Sequence, residues 1–493
     1  MGRSISLAQS PRTDGGSVGA NRFLRQITLV ATLGGLLFGI DTGVISGALL
    51  YLRQDLGLSP FQEALVVTAL LFPGAVSGAV LGGPLADRIG RRKTLMVCAV
   101  VLALATLGCA VAPGVGTLVA ARVLLGVGVG CASVTCPVYL AEMAPAERRG
   151  RMVTVNELMI VTGLFVAFST NLILSSVIDD PQVWRYMLGI AAVPAVALFI
   201  GMLLLPDSPR WYARAGRLDE ARETLVRGRN AGDVDAEFAE IRATAQAEAR
   251  RENGREVLRL LRKSSATRRI LWIGIALAVA QQASGGNAVT YYAPSVLAGA
   301  GWGSSASLMA SVGIGVTVIV ATVVGLWLLG FVPRRRMLMT GFGAMVVSHA
   351  CLGVSFMLPA GLVKTYVMVA FMLCVEASMA MFVGTSSWLV LSEIFPMAIR
   401  GFAMGVAVAG LWLANSAISF LFPLVVSGVG ATAIFFVFAA VNIVSLGFVA
   451  RFVPETKDRP LEELEADLRD APELADRAAE VGKQSKTGAE SPA

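Results

Sequence analysis

The sequence predicts an all-α membrane protein, with twelve transmembrane helices in two six-helix halves and a small cytoplasmic helical insert between the halves. Three observations lead to this fold class. Of the 493 residues, 55% are hydrophobic and 15% are charged, whereas soluble domains average about 25% charged residues. The apolar residues form twelve runs, each close to the ~20 residues that cross a bilayer as a helix. Several motifs also recur in the same order in the second half of the chain, as expected of a duplicated bundle.

The apolar runs place six spans on each side of a long polar segment. In the first half we predict spans at 24–49, 62–85, 94–112, 117–140, 152–176 and 184–205. In the second half we predict spans at 269–296, 305–332, 337–359, 365–391, 401–426 and 431–453. The stretch before Asn21 is polar and lacks a cleavage site after an apolar core, so we expect the first span to be retained.

These spans divide the chain into five regions. They are an N-terminal cytoplasmic segment (1–23), an N-terminal six-helix bundle (24–206), a cytoplasmic helical linker (207–268), a C-terminal six-helix bundle (269–453) and a cytoplasmic tail (454–493). The linker holds segments such as LDEARETLVRGR, with charges on most faces, which favour a small helical insert. The last part of the tail is polar and charged, so we expect it to be disordered.

Lysines and arginines concentrate in alternate loops, and this asymmetry predicts the orientation. The basic loops are DRIGRRK (87–93), ERRGR (147–151) and PRRR (333–336), whereas the other loops carry only isolated charges such as Arg53 and Lys364. The basic loops should face the cytoplasm, so both termini are expected there in a multi-pass protein of the cell membrane. The net charge of +7 then favours a bilayer with anionic lipids as a partner, and not nucleic acid.

Several kinds of chemistry lack the residues that they need. His349 is the single histidine and lies in an apolar run, so we interpret it as a packed side chain, and not as a metal ligand or a member of a catalytic triad. The six cysteines form no CxxC pair and lie in apolar stretches, which is typical of packing residues. The chain has no GxxxxGK[ST] phosphate loop. We expect neither an enzyme nor a metal or cofactor site, so any pumping must use an ion gradient.

An internal repeat relates the two halves. The segment AEMAPAERRG around Glu142 recurs as SEIFPMAIRG around Glu393, about 250 residues later. The segment PDSPR recurs as PETK, and DRIGRR recurs as GFVPRR, which keeps the arginine pair and loses the acid. Two parallel halves of this kind are expected of a transporter that moves one half against the other around a site at the bilayer midplane.

These motifs also carry a family resemblance that extends from about Asn21 to Glu465. The segments concerned are GGLLFGIDTGVISGAL, DRIGRR, ARVLLGVGVG, PVYLAEMAPAERRG, LPDSPRWY, QQASGGNAVTYYAP and PETK. Together they resemble the sugar porter family of the major facilitator superfamily, and NELMIVTG (156–163) is similar to bacterial inositol-type and related polyol or hexose porters. The resemblance implies the major facilitator fold, and import of a neutral sugar or cyclic polyol (hexose, pentose or myo-inositol) by proton symport with alternating access.

Two opposite charges inside the predicted spans are candidates for proton coupling. By helical rise, Asp41 in the first span and Arg122 in the fourth lie at the same depth, so they can form an ion pair. An acid at mid-depth normally faces a partner or an ion pathway. We hypothesise that Asp41 binds and releases a proton beside Arg122, the roles that the resemblance also implies, and the alternative is a static structural pair.

The segment QQASGGN supplies amides for a polyhydroxylated ligand. Gln281, Gln282 and Asn287 flank two glycines, so a kink or an unwound turn could direct the amides to one cavity. The alternative is that they only join helices by hydrogen bonds. By resemblance the same cavity is lined by Phe38, Tyr291, Trp388 and Asn415, with Trp388 closing it from the cytoplasmic side. Trp412 is a further candidate, and the alternative for it is a core residue.

Three departures from the family bear on the ligand. Glu157 stands where most sugar porters carry glutamine, and we favour hydroxyl binding over a second proton site for it. The usual GPxxW motif is GTSSW here (384–388), which removes a proline at the hinge, and a family asparagine is replaced near Val318. Glu376 is an acid outside the matched motifs, for which a functional role and packing beside a polar neighbour stay open.

The basic loops and the recurring acids are predicted to form a cytoplasmic charge network that stabilises the outward-open state, as in relatives. The alternative is that these charges only set the topology of the spans. We pair Glu142 with Arg149 and Glu393 with Arg400. Because Gly330 and Pro333 replace the family's acid and glycine, the second half of this network should be weaker. The predicted members are Asp87, Arg91, Arg92, Glu142, Arg149, Arg210, Arg334, Arg335, Glu393 and Arg400.

The sequence is compatible with a proton-coupled transporter and with other functions of a membrane protein. The expected partners are a small neutral sugar or polyol, protons and the bilayer, and the protein should function as a monomer. An uncoupled facilitator could use the same site, and a nutrient sensor could signal through the 207–267 insert or the tail. Drug efflux is disfavoured because the motif positions carry amides, whereas a pocket for lipophilic cations needs aromatic and acidic residues.

Overall fold

The computed structural model describes residues 14–229, 234–248, 264–395 and 399–457, and its regular elements over these ranges are helices. The first half contains α1 (Asp14–Ala31), α2 (Leu33–Asp55), α3 (Pro60–Ala69), α4 (Val76–Ile89), α5 (Arg91–Ala110), α6 (Val115–Met143), α7 (Ala146–Val177), α8 (Val183–Gly189) and α9 (Ala192–Leu203). The insert contains α10 (Pro209–Arg214), α11 (Leu218–Gly228) and α12 (Val234–Glu248). The second half contains α13 (Ser265–Ala283), α14 (Gly286–Gly299), α15 (Ser304–Leu328), α16 (Arg334–Met357), α17 (Leu362–Ser378), α18 (Thr385–Ile394), α19 (Arg400–Val429) and α20 (Ala431–Phe452).

Eleven of the predicted spans are crossed by helical stretches of the described chain that are long and apolar enough for a bilayer. Two of them are interrupted, the first by a kink at Phe72 within Leu70–Ala75, between α3 and α4, and the second by a π-helical segment, Met379–Gly384, between α17 and α18. The twelfth span, predicted at 269–296, is crossed by α13 and α14 in succession. The twelve-helix fold is thus confirmed. Residues 1–13 of the predicted N-terminal segment and residues 458–493 of the predicted tail lie outside the described ranges.

The break in the seventh span lies where the glycines predict it. Gly285 has φ +91°, a left-handed conformation that costs other residues energy, and a Cβ there would lie 2.6 Å from the Phe438 ring. The break also frees the carbonyl of Ser284 from the helix ladder. This carbonyl accepts hydrogen bonds from Asn442 Nδ2 at 2.8 Å and from His349 Nε2 at 2.9 Å. His349 is fully buried, so the single histidine helps to support the helix break.

The insert packs as a small helical unit on the first half. Trp211, Tyr212 and Leu225 are among the buried residues of its own apolar cluster. Arg229, directly after α11, donates to the carbonyls at the end of α6, Met143 at 2.9 Å and Ala144 at 3.1 Å. Cations are favoured at this end of a helix because its last carbonyls lack partners. Residues 230–233 and 249–263 of the predicted linker lie outside the described ranges.

The two halves contact each other away from the basic loops. We call the end of the bundle that carries Arg91 and Arg334 the basic end, and the other end the opposite end. Near the opposite end, Ser46 Oγ on α2 donates to the carbonyl of Thr290 on α14 at 2.9 Å, and the rings of Phe61 and Phe420 lie edge to face at 5.7 Å. The ion pairs at the basic end, among the described residues, join groups of the same half or, for Arg214 and Asp87, the insert to the first half. The arrangement is closed at the opposite end.

Candidate functional site

Asp41 and Arg122 lie together inside the first half. Asp41 is on α2 and is 6% exposed, and Arg122 is on α6 and is fully buried. Arg122 Nη1 lies 4.0 Å from Asp41 Oδ1, which is an ion-pair distance but too long for a hydrogen bond. Arg122 Nε and Nη1 have no hydrogen-bond partner among the described residues. The loose pair leaves the Asp41 carboxyl without a direct hydrogen bond to its cation, a geometry in which the acid can exchange a proton.

The three amides lie at the break of the seventh span. Gln281 and Gln282 end α13 and are buried, and Asn287 begins α14 and is half-buried. The Asn287 side chain donates to Gln282 Oε1 across the break. Gln281 Oε1 is buried and has no partner among the described groups. Because buried polar atoms in proteins are nearly always hydrogen-bonded, this free acceptor is suited to a ligand hydroxyl.

Aromatic and polar side chains join the two halves beside the ion pair. Phe38 on α2 and Trp412 on α19 contact edge to face, with ring centroids 5.6 Å apart. Tyr291 on α14 is buried and interacts with Asn415 on α19 and with Thr42, the residue after Asp41. The predicted set thus spans both halves at mid-depth. Thr42 was not among the predicted site residues, although its position beside Asp41 in the sequence could have indicated it.

Glu157 and Trp388 lie apart from these contacts. Glu157 is half-buried on α7 and makes no hydrogen bond or ion pair with another described residue. Trp388 on α18 is 39% exposed and has no aromatic contact in the described part of the chain. Glu157 therefore has a carboxyl without a polar partner among the described residues and Trp388 a partly exposed ring, which suits groups that contact a ligand or close over it.

Charged groups at the basic end of the first half form one connected set. Arg91, at the start of α5, pairs with Asp87 at 2.8 Å and with Glu142 at 3.0 Å. Asp207 Oδ1 accepts from the backbone N–H of Arg91 at 2.9 Å, so it caps the first turn of α5. Ser208 Oγ donates to Glu142. Burial raises the pKa of Asp207, and the backbone hydrogen bonds that it accepts oppose this rise.

The same arrangement recurs in the second half. Arg334, at the start of α16, pairs with Glu393 at 3.6 Å. Glu455 accepts from the backbone N–H groups of Arg334 at 2.8 Å and Arg335 at 3.1 Å. Thr456 Oγ1 donates to Glu393 at 2.5 Å. The recurring motifs PDSPR and PETK thus supply Asp207 and Glu455 as matched helix caps, and these members were missed although the repeat contained them.

The arginines that follow Arg91 and Arg334 have a matched role as well. Arg92 donates to the carbonyls of Met202 at 2.9 Å and Leu203 at 2.8 Å, at the end of α9. Arg335 donates to the carbonyl of Ala450, near the end of α20. Each guanidinium therefore donates to carbonyls in the last turn of a helix, where the regular helical hydrogen bonds end.

The acids of the repeat have partners that differ from the predicted ones. Glu142 pairs with Arg91 and not with Arg149, which donates instead to a carbonyl near the end of α6 at 3.2 Å. Arg400 likewise donates to the carbonyl of Phe395 at 3.1 Å, and Glu393 pairs with Arg334. The physical reason is that Arg149 lies in the first turn of α7 and Arg400 starts α19, so the carbonyls at the ends of the preceding helices are nearer than the acids.

The insert contributes one cation to the basic end. Arg214 Nη1 lies 3.3 Å from Asp87 Oδ1, and Trp211 Nε1 donates to the Asp87 carbonyl at 3.0 Å. Arg210 is exposed and makes no ion pair with a described residue. At the equivalent place in the second half, Lys457 Nζ donates to the Gly330 carbonyl at 3.0 Å. Among the residues that the structure describes, the second half therefore has fewer ion pairs at the basic end, because it lacks an acid where the first half has Asp87.

The chain is similar to known transport proteins over most of its length. Residues 27–468 match the family model described as "Sugar (and other) transporter". The chain is 44% identical to the putative metabolite transport protein YfiG and 44% identical to the major myo-inositol transporter IolT, both of Bacillus subtilis. The alignments cover 92% and 91% of this chain, and 94% of each relative.

The fold has close counterparts among solved structures. The inward-open structure of the xylose transporter XylE from E. coli superposes with a TM-score of 0.77 at 30% identity, covering 90% of this chain and 99% of that one. A structure of the major facilitator superfamily proton:xylose symporter XylE bound to 6-bromo-6-deoxy-D-glucose has a TM-score of 0.74 at 31% identity, with the same coverage. These relatives are named as transport proteins, so the chain is a transporter and not an enzyme. It belongs to the sugar porter family of the major facilitator superfamily.

Proposed function

We propose that the protein is a secondary active transporter that imports a neutral sugar or cyclic polyol together with a proton, by alternating access. The observation that carries the proposal is the loose pair of Asp41 and Arg122 next to a cluster of amides and aromatic rings that spans both halves. A charge placed inside the bilayer is costly and typically marks an ion pathway. Proton movement supplies the energy, and no bound cofactor is needed.

Neutral polyhydroxylated ligands fit the polar groups of the site. The free acceptor of Gln281, the paired amides of Gln282 and Asn287, and the unengaged carboxyl of Glu157 can bind hydroxyl groups. Phe38 and Trp412 offer apolar faces for the C–H edges of a sugar ring. Similarity to a myo-inositol transporter and to a xylose transporter supports hexoses, pentoses and myo-inositol as the candidate ligands.

The orientation follows from the basic loops. The positive-inside rule places the basic end in the cytoplasm, so the protein is proposed to lie in the cell membrane with both termini inside, acting as a monomer. The opposite end is then extracellular, and the arrangement closed at that end corresponds to an inward-facing state.

Transport in proteoliposomes tests the proposal. Counterflow and pH-driven uptake are measured with labelled hexoses, pentoses and myo-inositol, with and without a proton ionophore. Substrate-specific uptake that the ionophore abolishes is the expected result. Exchange that the ionophore leaves unchanged would instead show an uncoupled facilitator, and lack of uptake of every sugar in the panel would contradict sugar transport.

A further inference from the structure

A second buried acid lies in the other half of the molecule. Glu376 on α17 is 3% exposed, and Thr290 Oγ1 on α14 lies 2.7 Å from its Oε1 atom. No lysine, arginine or histidine among the described residues lies within ion-pair distance of its carboxyl. Asp41, Glu142 and Glu393, in contrast, each face an arginine. Glu376 is thus a buried acid without a compensating cation.

The helices packed against α17 supply no other charge to this carboxyl. α15 and the π-helical segment 379–384 contain no titratable residue. The remaining titratable groups on α14, α16 and α17 either have other partners or lie near the surface. Tyr292, His349 and Lys364 donate to the carbonyls of Ser419, Ser284 and Phe356, and Tyr291 interacts with Asn415 and Thr42. The side chains that are partly or fully exposed are Cys351, Tyr366 and Cys374. The arginines of α16 lie at the basic end; they are Arg334, Arg335 and Arg336.

Thr290 can accommodate either protonation state of the carboxyl. Toward a carboxylate, its hydroxyl donates over the 2.7 Å contact. Toward a carboxylic acid, the same contact is made by the Glu376 O–H donating to Thr290 Oγ1, since a hydroxyl both donates and accepts. The Thr290 hydroxyl proton then has an acceptor in the carbonyl of Gly286, 3.4 Å away at the start of α14. The site therefore has hydrogen bonds for the acid with and without its proton.

Thr290 also connects this site to the contact between the halves. Its carbonyl accepts from Ser46 Oγ on α2, a bond that forms only when α14 packs against the first half and the opposite end is closed. The next residue, Tyr291, interacts with Thr42 beside Asp41. The short helix α14, which begins at the Gly285 break, thus contacts Glu376 directly and the neighbour of Asp41 in the other half.

We propose that Glu376 is a second proton-binding site, on the C-terminal half, that takes up a proton when the opposite end closes and releases it when that end opens. With the end closed, a carboxylate would be buried without a cation, which is costly, so closure favours uptake of a proton from water. When α14 moves away from Ser46, water reaches the carboxyl and the proton leaves. Low pH therefore favours closure of the opposite end. The inference goes beyond the proposed transport function, and its tests use no substrate.

Infrared difference spectroscopy of the reconstituted full-length protein is the first test. A pH step should give the carbonyl band of a carboxylic acid that Glu376→Gln removes and Asp41→Asn leaves in place. Thr290→Val should shift this band because the hydrogen bond is lost, and Thr290→Ser should restore it. A spectrum of Glu376→Gln identical to that of the parent would overturn the proposal.

Closure of the opposite end is the second test. A double variant, Phe61→Cys with Phe420→Cys, reports closure by its cross-linking yield, measured with and without Glu376→Gln at each pH. The ratio of the two yields cancels the pH dependence of thiol chemistry itself. The cross-linking yield with Glu376 is divided by the yield with Glu376→Gln. This ratio should fall as the pH rises, by at most about tenfold per pH unit if one proton is linked to closure. A ratio that does not change with pH would show that Glu376 only joins two helices.

Discussion

At the scale of single residues, Asp41 and Glu376 are both buried carboxyls, but one lies beside a cation and the other beside a hydroxyl group. The neighbouring group decides which role each acid can have. Asp41 faces Arg122 at 4.0 Å, whereas the only polar partner of Glu376 in the described part of the chain is the hydroxyl of Thr290. The sequence places both acids inside spans and predicts the Arg122 partner from depth. It left a functional role and simple packing open for Glu376, because Thr290 lies on a helix that is distant in the sequence.

Asp41→Asn should abolish accumulation of substrate while exchange across the membrane persists, because the amide cannot carry a proton. One proton crossing about 100 mV releases about 2.3 kcal/mol, which supports roughly 50-fold accumulation, and this gradient should disappear. Asp179→Asn, an exposed acid of a loop at the opposite end, is the matched control and should accumulate like the parent. A variant at Asp41 that still concentrates its substrate would remove this residue from proton coupling.

Gln282→Ala should weaken substrate binding without changing expression. Loss of one amide hydrogen bond costs about 1 kcal/mol, which corresponds to roughly fivefold in affinity. Affinity from equilibrium binding or counterflow is compared with Gln182→Ala, which removes an exposed amide in the loop before α8. Unchanged affinity at position 282 would place the ligand elsewhere.

At the scale of elements, the break between α13 and α14 organises the candidate site. It places the Gln282 and Asn287 amides against each other, and it exposes a carbonyl that His349 and Asn442 satisfy. The glycine pair predicts this break, since a left-handed residue inside a span favours glycine. The partners of the freed carbonyl could not be predicted, because they come from two other spans.

Gly285→Ala should destabilise the protein more than Gly301→Ala. Both glycines have positive φ, +91° and +98°, and the backbone strain of an alanine there costs about 1–2 kcal/mol at either position. A Cβ at residue 285 also lies 2.6 Å from the Phe438 ring, whereas nothing lies within 4 Å of one at residue 301. Thermal unfolding in detergent should show a larger loss for Gly285→Ala, by about 1–3 kcal/mol. Equal losses would mean that the Phe438 ring moves away freely.

At the scale of the whole molecule, contacts between the halves lie at mid-depth and at the opposite end, while the acids and arginines of the basic end are joined within each half. Alternating access requires these contacts to break and others to form at the basic end. The internal pairing of Arg91 with Glu142, and of Arg334 with Glu393, holds the charged groups in place in each half. The predicted role of this network in the outward-open state stays a prediction.

A cross-link at the opposite end should stop transport. Phe61→Cys with Phe420→Cys places two thiols where the rings are now 5.7 Å apart, and their oxidation should arrest the cycle with that end closed. Transport of labelled sugar in proteoliposomes should recover after reduction, and the single variant Phe61→Cys should be insensitive to the oxidant. Full transport by the cross-linked protein would show that this end need not open.

The sequence by itself determined the spans, the duplicated halves, the break in the seventh span and the residue types of the site, because hydrophobic length, loop charge and glycine act locally along the chain. The tertiary structure alone decided which charges pair. Arg149 and Arg400 are close in sequence to the acids of the repeat, yet Arg91 and Arg334 pair with those acids across helices. The structure likewise placed Thr290 beside Glu376 and Asp207 at the start of α5. Such contacts depend on how helices pack and rotate in three dimensions, and periodicity along one helix does not specify this.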